Sequence, residues 1–334
     1  MSVSMSLDDV IAHCAADNDK PVRATCVQAA SVIFDTPRTL QKARHLIADA
    51  AQGGAQLVLL PEAFVGGYPR GAGFGTVVGA RLPEGRELYA RYHAGAIDVP
   101  GPAVAALGLM AKENRIHLVV GVIEREGLTL YCSLLFFSPA GELIAKRRKL
   151  MPTGGERLIW GFGDGSTLTV LPTPLGKLCG VICWENYMPL LRAAMYAQGA
   201  QIWCAPTADG RPTWLPTMQH IAMEGRCFVM STNQFCRRSD FPADYPSELP
   251  VEPDAIVARG GACIIDPMGV VLAGPLWDME GSVSAELDLR KTVKGGFDFD
   301  PVGHYARADV FRLHVDTRPK PAVSFSARSG DEHA

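Results

Sequence analysis

No stretch of this chain runs apolar for the ~18 residues or more that a membrane-crossing helix needs, so no span and no membrane partner is expected. Residues 1–20 carry Asp8, Asp9, Asp17 and Asp19 and lack the basic start and apolar block of a secretory signal. The protein is therefore expected in the cytoplasm. Charge of one sign is missing as well. The 32 Lys+Arg against 35 Asp+Glu give a net charge of -3, which offers no basic footprint for a nucleic-acid partner. Nine cysteines form no C-x-x-C pair and no Cys/His cluster with zinc spacing, so no metal is expected and most thiols read as small buried hydrophobes. A G-x-x-x-x-G-K-[ST] phosphate loop, a G-x-S-x-G elbow and an H-E-x-x-H helix are all absent. Gly161-Phe162-Gly163-Asp164-Gly165 is glycine-rich but does not join a strand to a helix as a dinucleotide site would.

What remains is a chain of 334 residues, 48% hydrophobic, long enough to bury a full core. Short apolar runs alternate with helical segments. Strands are expected over residues 22–28, 55–60, 116–123, 178–182, 202–205, 227–232 and 283–287. Helices are expected over 40–51, 103–114, 189–198 and 217–225. Two hairpins are marked by Pro139-Ala140-Gly141 and Pro267-Met268-Gly269. Such alternation predicts an α/β protein whose mixed sheets are covered by helices. No linker divides the core, so residues 21–316 read as one domain, with an N-terminal extension over 1–20 and a mobile tail over 317–334. Residues 237–257, with four prolines, read as a surface loop or interface insertion.

Three polar sites interrupt the apolar pattern. Leu57-Val58-Leu59-Leu60-Pro61-Glu62 runs a strand into a carboxylate at its carboxyl edge, where open α/β sheets place ligands. Lys146-Arg147-Arg148-Lys149 follows the first hairpin, and its first three members read as a charged rim. Leu178-Cys179-Gly180-Val181-Ile182-Cys183 ends a strand in a thiol at a turn, with Cys179 reading as core. A Cys, a Lys and a Glu form a consistent set. An ammonium favours the thiolate, a desolvated Glu serves as base and then acid, and the same ammonium holds a tetrahedral anion. These groups suit attack on a carbon bonded to nitrogen.

The residues around these groups resemble the nitrilase superfamily of carbon–nitrogen hydrolases, and within it the true nitrilase branch, most of all the plant-type enzymes. Glu62 stands in Leu-Pro-Glu-Ala-Phe-Val-Gly-Gly-Tyr-Pro-Arg-Gly, Lys149 in Arg-Lys-Leu-Met-Pro-Thr, Glu156 in Gly-Glu-Arg-Leu-Ile-Trp-Gly-Phe-Gly and Cys183 in Cys-Trp-Glu-Asn-Tyr-Met-Pro-Leu. Residues 205–210, 220–228 and 303–307 also look like the family. The resemblance implies a four-layer αββα sandwich with no cofactor. It makes Glu62 the base, Lys149 the charge stabiliser, Glu156 the second glutamate and Cys183 the nucleophile. A nitrile and water would pass through a thioimidate and a thioester to a carboxylic acid and ammonia, with amide as a by-product. Arylacetonitriles or β-cyanoalanine are the implied substrates. Tyr68 and Trp184 are candidate substrate-binding residues, and Trp184 is the candidate for steering acid against amide. Glu185 and Asn186 are expected to hold the turn. The implied assembly is a homo-oligomer, a dimer or larger, extending into spirals. The near alternative is an amidase or carbamoylase of the same superfamily. More distant ones are a Cys–His enzyme using His220 or His304, and a filament or scaffold protein with a vestigial site.

Overall fold

A computed structural model of the chain describes residues 20–246, 248–321, 323 and 324. The expected N-terminal extension, but for Lys20, and residues 322 and 325–334 of the expected tail lie outside the described residues.

Strict alternation along the strands sorts apolar side chains into separate layers. The first sheet contains β1 (Val22–Gln28), β2 (Leu57–Leu59), β5 (Ile97–Asp98), β6 (His117–Glu126), β7 (Thr129–Phe137), β8 (Leu143–Arg148) and β16 (Gly281–Leu287). Its order is β16-β1-β2-β6-β7-β8, with β5 on β6. β1, β2 and β6 run parallel, while β16, β7 and β8 pair antiparallel. The second sheet contains β9 (Leu171–Thr173), β10 (Gly176–Gly180), β11 (Ile202–Pro206), β12 (Phe228–Thr232), β13 (Phe235–Arg237), β14 (Ile256–Ile265) and β15 (Val271–Trp277). Its order is β13-β14-β12-β11-β10-β9, with β15 on β14 and a parallel centre of β10, β11 and β12. A small hairpin pairs β3 (Thr76–Val77) with β4 (Ala80–Arg81).

Ala24, Cys26, Leu57, Leu59 and Val119 of the first sheet meet Leu178, Ile202, Cys204, Phe228 and Met230 of the second in one central core. Residues one position out of phase face helices. Val58, Leu118, Val120 and Leu135 pack with α1 (Thr36–Gln52) and α3 (Pro102–Asn114). Cys179, Trp203, Ala205 and Val229 pack with α4 (Pro189–Tyr196) and α5 (Trp214–Gly225). The layers are therefore helix, sheet, sheet, helix, as the resemblance implies.

Helix α1 starts four residues before the expected position. Its first turn, Thr36-Pro37-Arg38-Thr39, is fixed by the Asp35 side chain accepting from the Arg38 N–H and by a proline at the start, not by apolar spacing. Two further helices, α2 (Pro83–Gly95) and α6 (Arg290–Gly296), fall where none was expected. In α2 only Gly85, Leu88, Tyr92 and Gly95 are buried, so it lacks a readable apolar stripe. Residues 237–257 are not loop throughout. They include the end of β13, a 3₁₀ turn over Arg238–Asp240, a buried Tyr245 and the start of β14.

Candidate active site

The parallel strands β2, β10 and β11 deliver their carboxyl ends to one place. After β2 the chain turns through Leu60-Pro61 and buries Glu62. Gly121 of β6 permits this, because a Cβ there would lie 2.3 Å from the Pro61 carbonyl oxygen and 2.7 Å from Glu62 Cα. Tyr92 of α2 secures the continuing loop by donating to the Gly67 carbonyl.

Lys149 directly follows β8, and its N–H donates to the Cys132 carbonyl of β7. Its side chain is fully buried, and Nζ donates to Glu62 Oε1 and to Glu156 Oε2, each at 2.7 Å. The Trp160 ring lies beneath Nζ at 5.5 Å. Glu156 sits in the 3₁₀ turn Gly154–Leu158, where its Oε2 also accepts the Thr153 N–H and its Oε1 accepts the Tyr68 hydroxyl at 2.7 Å.

Cys183 opens the 3₁₀ turn Cys183–Tyr187 three residues beyond β10, at φ 52°. A side chain in this left-handed region costs about 1 kcal/mol, so the turn must be held from outside. Asn186 holds it by donating to the Val181 and Cys183 carbonyls while accepting from Trp203 Nε1 at 2.7 Å. Glu185 accepts the Ile182 and Leu150 N–H groups and takes a bidentate pair from Arg147 at 2.9 and 3.0 Å. Both residues thus hold the turn, as expected. Arg147 departs from expectation. It is not part of a charged rim but is 1% exposed, inside the protein, because β8 alternation turns it inward onto Glu185. Lys146 and Arg148 instead pair with the buried Glu124.

Electrostatics also departs from the simple expectation of an ammonium-stabilised thiolate. Burial, with the Glu62 carboxylate added to it, pushes the Cys183 thiol up to about 12, against the opposing pull of Lys149, Thr207 and the Ala208 N–H. Burial raises Glu62 above its ordinary value too, with Glu156 adding to it and Lys149 opposing. Burial works against the Lys149 charge, yet Glu62, Cys183, Cys132 and Glu156 outweigh it and hold the ammonium well above its usual range. Glu62 Oε2 is buried with no donor in full hydrogen-bonding geometry, although Cys183 stands close enough to lower the Glu62 pKa by hydrogen bonding. The arrangement is a neutral thiol beside a carboxylate with a free oxygen, and a fixed cation next to both.

A cleft of about 350 Å³ opens onto Cys183, lined by Tyr68, Arg70, Glu156, Trp184 and Asp209 among others. Of the residues singled out in the sequence, Glu62, Lys149, Glu156, Tyr68 and Cys183 come together. Trp184 lines the cleft at 41% exposure, but its indole N–H is taken by Asp209 at 2.9 Å and Arg211 stacks on its ring. Neither histidine is among the groups acting on Cys183. His220 is exposed on α5 beside Glu224, and His304 is exposed. Sequence reasoning assigned no part to Thr207, whose Oγ1 lies 3.1 Å from Cys183 Sγ, or to Cys132, whose Sγ lies 3.6 Å from Glu62 Oε1. For Thr207 the available signal was its place just past β11, the parallel neighbour of β10.

Comparison with known proteins agrees with this geometry. The carbon–nitrogen hydrolase family model matches residues 23–294. A bifunctional nitrilase/nitrile hydratase of Nicotiana tabacum is 55% identical over 312 residues, covering 92% of this chain and 90% of the relative. Nitrilase 2 of Arabidopsis thaliana is 54% identical, with 92% of each covered. An aliphatic nitrilase of Sinorhizobium fredii is 55% identical, with 90% of this chain and 97% of the relative covered. Among solved structures, a carbon–nitrogen hydrolase from Helicobacter pylori shares the fold with a TM-score of 0.68 at 20% identity, covering 88% of this chain and 98% of its own. The chain belongs to the carbon–nitrogen hydrolase family, on its nitrilase branch.

Proposed function

We propose that the protein hydrolyses an organic nitrile to the carboxylic acid and ammonia through a covalent bond to Cys183. The observation that carries this reading is the buried thiol beside Glu62, with Lys149 locked at 2.7 Å between Glu62 and Glu156. Glu62 takes the thiol proton as Cys183 attacks the nitrile carbon, and the nitrogen is protonated to give a thioimidate. Water adds, giving up a proton to Glu62. Lys149 and a backbone N–H near Trp184 hold the tetrahedral species. Nitrogen takes a proton and leaves as ammonia, and a second water cleaves the thioester to the acid.

Arylacetonitriles or β-cyanoalanine-like nitriles are the proposed substrates. Support comes from the likeness to plant nitrilases and from the aromatic walls Tyr68 and Trp184. Some amide release is proposed as well, in line with relatives named bifunctional nitrilase/nitrile hydratase. A cytoplasmic homo-oligomer is the proposed working form. The test is release of acid, amide and ammonia from a panel of phenylacetonitrile, indole-3-acetonitrile, benzonitrile, an aliphatic dinitrile, β-cyanoalanine and the matching amides. Acid and ammonia from nitriles, lost in Cys183→Ala, are expected. Turnover of amides alone would overturn the reading in favour of an amidase.

A further inference from the structure

We propose that Thr207 is a further catalytic residue, whose hydroxyl stabilises the Cys183 sulfur as a leaving thiolate and so sets the proportion of amide released. The inference rests on the nitrile reading of the site and deepens it.

Direction of the hydrogen bonds is what gives Thr207 a role. Thr207 is 1% exposed, and its Oγ1 accepts the Asp209 N–H at 2.9 Å. That leaves its one hydrogen for another acceptor, and Cys183 Sγ lies at 3.1 Å. The Ala208 N–H also reaches the sulfur. The loop after β11 thus presents two donors to Sγ, and their effect on the thiol opposes that of Glu62. A donor there gains most when the sulfur is anionic, because hydrogen bonds to charged groups are the stronger ones.

The tetrahedral adduct carries the substrate carbon, a hydroxyl, an amino group and the Cys183 sulfur. On one branch Glu62 takes the hydroxyl proton and passes it to the nitrogen as the C–N bond breaks, so that ammonia leaves, a thioester remains and Glu62 is again a carboxylate. On the other branch the C–S bond breaks, the electron pair goes to sulfur, and the hydroxyl loses its proton to form the amide. The thiolate then recovers a proton through Glu62. Only the second branch places negative charge on sulfur, so Thr207 favours amide over acid. It also eases formation of the thiolate in the first attack.

The test compares Thr207→Val, which removes the hydroxyl at similar volume, with Thr207→Ser, which keeps it. Thr207→Ala replaces the valine variant if that does not fold. The first readout is alkylation of Cys183 by iodoacetamide across pH, followed by mass on its peptide with Cys183→Ala as blank. The second is the acid-to-amide ratio on the best nitrile. Thr207→Val is expected to slow alkylation about tenfold at pH 8, the loss of one hydrogen bond to a charged group, and to lower the amide fraction several-fold. Thr207→Ser should restore both. Wild-type alkylation in Thr207→Val, or equal changes in the valine and serine variants, would overturn the proposal. A wild type inactive on every nitrile sinks the functional reading instead, and alkylation still decides whether Thr207 acts on the sulfur.

Discussion

At Cys183, burial and the Glu62 carboxylate oppose Lys149, Thr207 and the Ala208 N–H, and burial prevails. A thiol pushed up to about 12 supplies almost no free thiolate at neutral pH, so the proposed attack requires proton removal by Glu62 in the same step. Glu62 acts as base only when ionised, and burial raises its pKa above the ordinary 4.5. As pH falls through that raised value Glu62 takes a proton and the base is lost. The expected profile of kcat/KM therefore has an acid limb displaced above 4.5 and no loss from thiol ionisation until strongly alkaline pH. A limb at or below 4.5 would contradict this assignment. Lys149→Met removes the cation between two carboxylates. It should lower kcat by about 10²–10³ and move the acid limb to still higher pH, since the chief influence lowering the Glu62 pKa is then gone. The sequence displayed Glu62, Lys149 and Cys183 at three polar breaks in the apolar pattern, whereas Glu156 came only through the family resemblance. Thr207 and Cys132 gave no such signal. A threonine past a strand and a thiol within one look like ordinary sheet residues, and only the approach of β7 and β11 to the site brings them to Glu62 and Cys183.

Between elements, the pairing of β8 with the nucleophile turn carries the geometry. Arg147 and Glu185 are both fully buried, so removing one partner leaves an uncompensated charge. Arg147→Met should cost about 3–5 kcal/mol in urea unfolding. The double variant Arg147→Met/Glu185→Gln should recover part of that, because the glutamine amide carries no charge and keeps an acceptor for the Ile182 or Leu150 N–H. Additive losses would show that the pair does not act as a unit. Gly121→Ala tests the opposite wall. A Cβ at 2.3 Å from the Pro61 oxygen must displace the Glu62 loop, so kcat should fall more than urea stability does. Strand and helix order was legible where the chain is richly apolar, as in β6, β7 and α3. The polar helix α2 was not, because its place depends on Tyr92 reaching the Gly67 carbonyl and not on a stripe of its own. Arg147 was misread for a related reason. Four successive basic residues look like solvated charge until strand alternation places one of them opposite Glu185.

For the whole molecule, the decisive feature is that the nucleophile turn leads straight into a helix with an exposed apolar face. Cys183–Tyr187 is followed by α4 at Pro189, and Arg192 and Tyr196 of α4 bond Glu224 of α5. On this pair of helices Leu190 is 68% exposed, Met223 42%, and Tyr187 at the end of the turn 39%. Contact between copies over this face would bury those side chains and also brace the segment that holds Cys183 at its left-handed φ. Assembly and activity should then fall together. Light scattering on the purified protein should report a dimer or larger species. Leu190→Glu with Met223→Glu should lower the mass and reduce kcat several-fold, while Cys132, Glu62 and Lys149 keep their places in the core. Dilution that yields stable, fully active monomers would dismiss the assembly. A dissociated double variant with undiminished kcat would show that assembly does not support the turn, leaving Asn186 and Glu185 sufficient to hold it.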